Sequence, residues 1–258
     1  MHERITSLRE LEPKSSGRSS YQAILEAAAG LFEQFKAVDI TLRDILNTSG
    51  VANQTLYNYF PNGRDDVAIV LQDRIQQVMI HDFHQLLESS GKGEDTSAEE
   101  AIRATAACLA GAVFNPLKTR FAYQTSLHQY LKTHGLLDIA NHTKEFETAF
   151  QAALTARHGN RVSKADLPRI VHLCVHFTRE LVAIALENPQ YPPDVLEANA
   201  RMFVRDLLHS GMKDREAMSS GILLKGGAAA PFEVPPARIS EPKRESIFNR
   251  ILRRRKPK

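Results

Sequence analysis

From about Ser19 to His209 apolar residues recur at intervals of three and four, and no stretch alternates apolar with polar as a half-buried strand does. That pattern restricts the body of the chain to packed helices. Ile24, Ala27, Ala28, Leu31, Phe32 and Phe35 mark a first amphipathic helix. A second, short helix follows "VDIT", with Thr41 as its N-cap and Leu42, Ile45 and Leu46 as its buried face. It stops at "TSG", where Gly50 suits the left-handed conformation of a helix end. A third covers Asn53 to Tyr59, "PNG" breaks the chain, and Arg64 starts a long helix reaching about Ser89. The polar stretch "SSGKGEDTSAEE" then ends in a Ser or Thr cap with Glu three residues on. Helical periodicity resumes at about 98–113, 116–133, 138–158, 166–187 and 194–209. The expectation is an all-α fold without internal repeats.

Outside that region the texture differs. Residues 1–18 carry scattered charges and "PKSSGRSS", and read as a flexible N-terminal arm. Residues 212–245 mix Gly, Ala and Pro and read as a linker. Residues 246–258 regain a pattern, with Ile247, Phe248, Ile251 and Leu252 on one face and arginines around the rest.

The net charge of +3 conceals an asymmetry. Residues 243–258 hold eight basic side chains and one acid, a balance of +7, which leaves −4 for residues 1–242. The longest uncharged apolar stretch, "TAACLAGAVF", is too short to span a bilayer, and the first twenty residues show no signal peptide. Cys108 and Cys174 both sit in apolar segments, as buried thiols in a reducing compartment do. A cytoplasmic protein is expected.

The most specific pattern lies in residues 41–60. A helix, a glycine turn and a second short helix make a helix-turn-helix, in which Ile45, Val51 and Leu56 fill the crossing. The second helix then presents Asn53, Gln54, Thr55, Tyr57 and Asn58 outward, all hydrogen-bonding and none charged. Asn and Gln pair bidentately with adenine edges, and Thr and Tyr hydroxyls suit phosphate oxygens.

In "ILEAAAGLFEQF", "ITLRDILNTSGVANQTLYNYF" and "PNGRDDVAIVL", in that order, the chain resembles the TetR-type transcriptional regulators over about residues 20–72. The resemblance implies a helix-turn-helix DNA-binding domain at 19–62 and a helical regulatory and dimerisation domain at 63–211. It implies backbone contacts from Thr41, Arg43, Thr55, Tyr57 and Tyr59, a phosphate contact from Arg64, and base reading by Asn53 and Gln54. Three positions depart from the family pattern. Leu46 stands where a small residue is usual, and fitting it costs about 1–3 kcal/mol if nothing adjusts. Lys36 replaces a glycine at the end of the first helix, which predicts mild strain. Ala52 replaces a capping Ser, a loss of about 1 kcal/mol. Residues 1–62 carry six basic and seven acidic side chains, an unusually weak basic footprint for a DNA-binding head.

In the body, "DLPRIVHLCVHFTRELVAIALE" is apolar on more than one stripe, and "VLEANARMFVRDLLHSGM" adds a second apolar helix. Two such helices from each of two chains form a four-helix interface, expected to use Val171, Val175, Leu181, Met202, Phe203 and Leu207. A homodimer also follows from the DNA side, since one short helix reads few bases and two-fold symmetry doubles the site. Phe114, Phe121, Tyr123, His128, Phe146, Phe150, His172, His176 and Phe177 are the candidates for lining a ligand pocket. His172 and His176 lie one turn apart and are able to hold a metal, with His128, His134 or His142 to complete the site. The sequence offers them no clear carboxylate or cysteine partner, so neither metal nor cofactor is expected.

The chain contains no glycine-rich phosphate loop, no nucleophile elbow and no metal-binding pair with its base, which argues against an enzyme. The leading expectation is a homodimeric repressor released from a palindromic operator in double-stranded DNA by a small-molecule inducer. The basic tail adds DNA affinity, lies on an anionic membrane, or is a partner-binding segment or an end without a role. The alternative is a DNA- or membrane-associated protein that acts through that tail, with a degenerate helix-turn-helix.

Overall fold

The computed structural model describes residues 2–90, 97–137, 143–159, 162–188 and 190–219, with side chains between 3 and 211. All belong to one compact unit, Met1–Ile222; the basic tail at 246–258 lies outside the described residues. Among the described residues every regular element is helical, as the periodicity requires. The order is α1 (His2–Glu10), α2 (Arg18–Gln34), a 3-10 turn (Ala37–Asp39), α3 (Leu42–Ser49), α4 (Asn53–Tyr59) and α5 (Arg64–Ser89). The body follows as α6 (Ala98–Thr119), α7 (Phe121–Thr133), α8 (Thr143–His158), α9 (Leu167–Glu187) and α10 (Pro193–Ser219).

The expected flexible arm is largely a helix. In α1, Ile5 and Leu8 are buried against the head, and Arg4 donates to Asp66 Oδ1 at 2.7 Å. Arg9 reaches both Asp73, at 3.0 Å, and Glu145, at 2.6 Å. Four of its nine residues are charged, so α1 lacks a broad apolar stripe, and partners far along the chain fix it in place.

The strain expected at Lys36 is absent. Helix α2 ends at Gln34, and Phe35 (φ −126°) and Lys36 (φ −70°) leave it through extended backbone. No non-glycine residue among those described has a positive φ. The helix end therefore has no need of the glycine.

Two boundaries moved. The break expected near Pro116 lies at Arg120 instead, because Ala112, Val113, Phe114 and Leu117 are all buried and their packing carries α6 through the proline. Helix α10 runs on to Ser219, past the expected start of the linker at 212.

Two apolar cores result. One gathers α1 to α4, the first half of α5, and α7, through residues such as Tyr21, Phe32, Ile45, Leu56, Phe60, Val67 and Tyr130. The other gathers the second half of α5 with α6, α8, α9 and α10 around Phe83, Phe114, Phe150 and Cys174. The helix-turn-helix thus shares a core with α7 of the body, and α5 runs through both. Lys118 on α6 ties α10 through Glu197 at 2.7 Å.

Candidate nucleic-acid interface

The helix-turn-helix forms where its punctuation predicts. Thr41 caps α3 by accepting from the Asp44 N–H at 3.2 Å, while its own N–H donates to the Asp44 carboxylate at 2.8 Å, a complete capping box. The Thr41 hydroxyl also donates to that carboxylate, at 2.6 Å, and this bond, with the one from the Thr41 N–H, holds the Asp44 carboxyl below its ordinary range. Gly50 closes the helix at φ 66°, in the left-handed region that glycine enters without a Cβ clash. Ile45 and Leu56 are fully buried at the crossing, with Leu46 and Val51 half-buried against the same core. Leu46 therefore sits at the edge of the crossing rather than in its centre. Ala52 begins α4 without a side-chain cap.

This packing leaves one face of α4 in solvent. Asn53, Gln54, Tyr57 and Asn58 are exposed and Thr55 is half-exposed; Gln54 Nε2 lies 3.4 Å from Asn58 Oδ1. Arg43, on α3, is exposed as well.

Two of the expected contacts face inward. Tyr59 packs edge-on to Tyr21 at 5.5 Å, and its hydroxyl donates to the Gly17 carbonyl at 3.4 Å. Gly17 (φ 89°) is required there, since a Cβ would come within 2.1 Å of that hydroxyl oxygen. Arg64 is half-buried: it donates to the Ile40 carbonyl and to Tyr130 Oη at 2.9 Å, and its guanidinium lies over the Tyr130 ring. Both side chains hold the head together instead of projecting from α4 and α5.

The expected ligand residues scatter. Phe114, Phe146 and Phe150 are packed in the second core, and Phe121 and Phe177 lie partly buried against it. His128 pairs with Glu187 at 3.1 Å on the outside of α7. His172 and His176 are exposed, where both meet Glu147, the carboxylate partner that was not apparent in the sequence. Of these candidates Tyr123 lines a cavity that lies apart from the second core. It has a volume of about 440 Å³ between α2, α5, α6 and α7. Leu25, Leu71, Ile75 and Val78 give it an apolar wall, and Arg74, Arg120, Glu26 and Asp82 bring both signs of charge. Its lining comes from three separated segments, 22–29, 71–82 and 115–124, so no local pattern announces it.

The expected dimer residues divide similarly. Val171, Val175 and Leu181 are buried in the chain's own second core, which corrects their assignment to an interface. Met202 is 46% exposed, Phe203 and Leu207 are half-buried, and Leu173 on α9 is 41% exposed. Phe203 stacks on Phe177 with ring centroids 3.8 Å apart.

No family model and no curated relative matches the chain. Among solved structures it is similar to a protein of unknown function from Rhodococcus sp. RHA1, at 16% identity and a TM-score of 0.51, covering 76% of this chain and 97% of the other. It is also similar to a TetR transcriptional regulator from the same organism (19% identity, TM-score 0.49, 75% and 97% covered). A third match is the TetR family regulator PfmR from Thermus thermophilus (18% identity, TM-score 0.42, 73% and 98% covered). The elements run in the order the resemblance implies: short helices closing on a helix-turn-helix, then a long helix leading into a helical body. The chain shares its all-helical fold with the first of these structures. In this fold, α4 is the exposed second helix of the motif, and α5 carries its position into the body.

Proposed function

We propose that the protein is a sequence-specific DNA-binding transcriptional regulator, a homodimeric repressor released from a palindromic operator by a small molecule. The observation that carries this reading is the outer face of α4. Five uncharged hydrogen-bonding side chains, Asn53, Gln54, Thr55, Tyr57 and Asn58, stand on a short helix whose other face is anchored by the buried Leu56. Asn53 and Gln54, in the first turn, suit base edges in the major groove. Thr55 and Tyr57, with Thr41 and Arg43 at the start of α3, suit the flanking phosphates. Arg64 and Tyr59 act one step back, by fixing the head.

Dimerisation through the outer faces of α9 and α10 is supported by the exposed Leu173 and Met202 and the half-exposed Phe203 and Leu207. Two heads then meet two half-sites about 34 Å apart. The ligand reading moves from the core aromatics to the cavity bounded by α2, α5, α6 and α7, whose size suits a small organic molecule. An occupant there touches the first helix of the head and the body together. If it favours one head spacing over another, it shifts operator affinity, and operator DNA weakens ligand binding by the same factor.

Selection from a random duplex pool with the full-length protein tests the reading. Enrichment of a palindrome is expected. Binding without sequence preference would return the function to the basic tail.

A further inference from the structure

His172 and His176 stand one turn apart on the exposed side of α9, and their rings lie 4.0 Å apart between centroids. Glu147, on α8, reaches across to both. Its Oε1 lies 2.9 Å from His172 Nδ1 and 3.2 Å from His176 Nε2. One donor atom from each of the three residues falls within 4.8 Å of the others. In a tetrahedral zinc site, with metal–ligand distances of about 2.0–2.2 Å, the ligand atoms stand about 3.3–3.5 Å apart. The 3.2 Å separation is close to that value and the 2.9 Å one is shorter, so side-chain rotations that part Glu147 from His172 centre a cation among the three donors.

The geometry has a simpler reading, in which Glu147 is an ion-pair partner for protonated histidine. One carboxylate balances one imidazolium. A second positive ring at 4.0 Å has to share that one carboxylate and repels the first. Two imidazoles converging on one carboxylate oxygen are better matched to a single divalent cation, for which all three are donors.

We propose that Glu147, His172 and His176 form a divalent transition-metal site that clips α8 to α9. Two imidazoles and one carboxylate form a donor set suited to Zn²⁺, with Co²⁺ and Ni²⁺ as close competitors. Ca²⁺ and Mg²⁺, which take oxygen ligands, are poorly served. The side chains of His172 and His176 are 60% and 45% exposed, so the ion enters from solvent and water completes its coordination. The site is independent of the DNA-reading face and of the cavity. Because bound metal stabilises only the state that holds the three donors together, it raises the stability of the folded chain by mass action.

The test titrates chelator-treated, full-length protein with Zn²⁺ by calorimetry and with Co²⁺ by visible absorption. The expected result is one equivalent per chain, a Co²⁺ spectrum of low coordination number, and a higher Tm with Zn²⁺. His176→Asn and Glu147→Gln should each weaken binding at least tenfold while leaving the far-ultraviolet helical signal unchanged. His81→Asn, at an exposed histidine on α5, should leave affinity as it was. Absence of binding, or binding of equal affinity in the wild type and in both site variants, overturns the proposal. Loss of affinity in His81→Asn equal to that in His176→Asn does the same.

Discussion

Arg64 and Tyr130 lock the entrance of the long helix to the body. The guanidinium donates to the Tyr130 hydroxyl at 2.9 Å and lies 4.6 Å above its ring, while that hydroxyl donates to Asp65. The same Arg64 holds the Ile40 carbonyl just before α3. One side chain therefore connects the loop into the helix-turn-helix, the first turn of α5, and α7. Tyr130→Phe keeps the ring and removes both hydrogen bonds of the hydroxyl. The protein should lose about 1.5–3 kcal/mol, the range for bonds to charged groups, in a urea titration. A change too small to measure would mean that this junction adds nothing to the stability of the folded state.

Tyrosine burial predicts an alkaline limit. Tyr21 and Tyr130 are each pushed from the ordinary 10.0 up to about 12, mainly by burial, and Tyr123 is raised as well. Between pH 10 and 12 the unfolded chain releases these protons while the folded chain keeps them. The unfolded state then binds fewer protons, so what the phenols contribute is intact below pH 10 and falls as pH rises through that window. The buried Cys108 and Cys174 thiols, also pushed up by burial, start the decline lower, so urea midpoints should begin to fall above about pH 8.5 and fall more steeply above pH 10. Midpoints that rise above pH 10 would contradict the burial of these phenols.

Helix α1 was illegible in the sequence because what holds it is distant. Its anchors are Asp66, Asp73 and Glu145, and its apolar contribution is chiefly Ile5 and Leu8. If α1 is an integral layer of the head, Ile5→Ala should cost about 2–5 kcal/mol, as truncation of a buried side chain does. Equilibrium unfolding measures this, and a cost under about 0.5 kcal/mol, the size of a surface effect, would restore the flexible arm.

The helix-turn-helix was readable for the opposite reason. Thr41, Asp44 and Gly50 set the ends of α3 by bonds within a few residues, and Ile45 and Leu56 set its packing by period. Exposure of Asn53, Gln54, Tyr57 and Asn58 follows directly. The inward bonds of Arg64 were not legible because its acceptors, Ile40 and Tyr130, lie on opposite sides of it in the chain. The cavity and the Glu147–His172–His176 cluster were hidden likewise, since tertiary packing alone brings their members together.

Arg64 facing inward sharpens an expectation about salt. Residues 1–62 are near charge balance, at six basic against seven acidic side chains, whereas residues 243–258 carry +7. Affinity falls with salt in proportion to the phosphates neutralised. Operator binding by a chain ending at Ser219 should show a shallow log–log slope with salt, and the full-length chain a steeper one. Equal, steep slopes for both would show that the head itself supplies the neutralising charge.

The face of α4 is best tested by discrimination rather than affinity. Fluorescence anisotropy would compare an operator enriched by selection with a shuffled duplex, for the wild type and for Asn53→Ala/Gln54→Ala. If these two side chains read bases, deleting each bidentate pair removes about 1–3 kcal/mol of discrimination. The variant should then lose at least tenfold in preference for the operator while binding the shuffled duplex as before. Undiminished preference in the double variant would show that the outer face of α4 does not read the sequence.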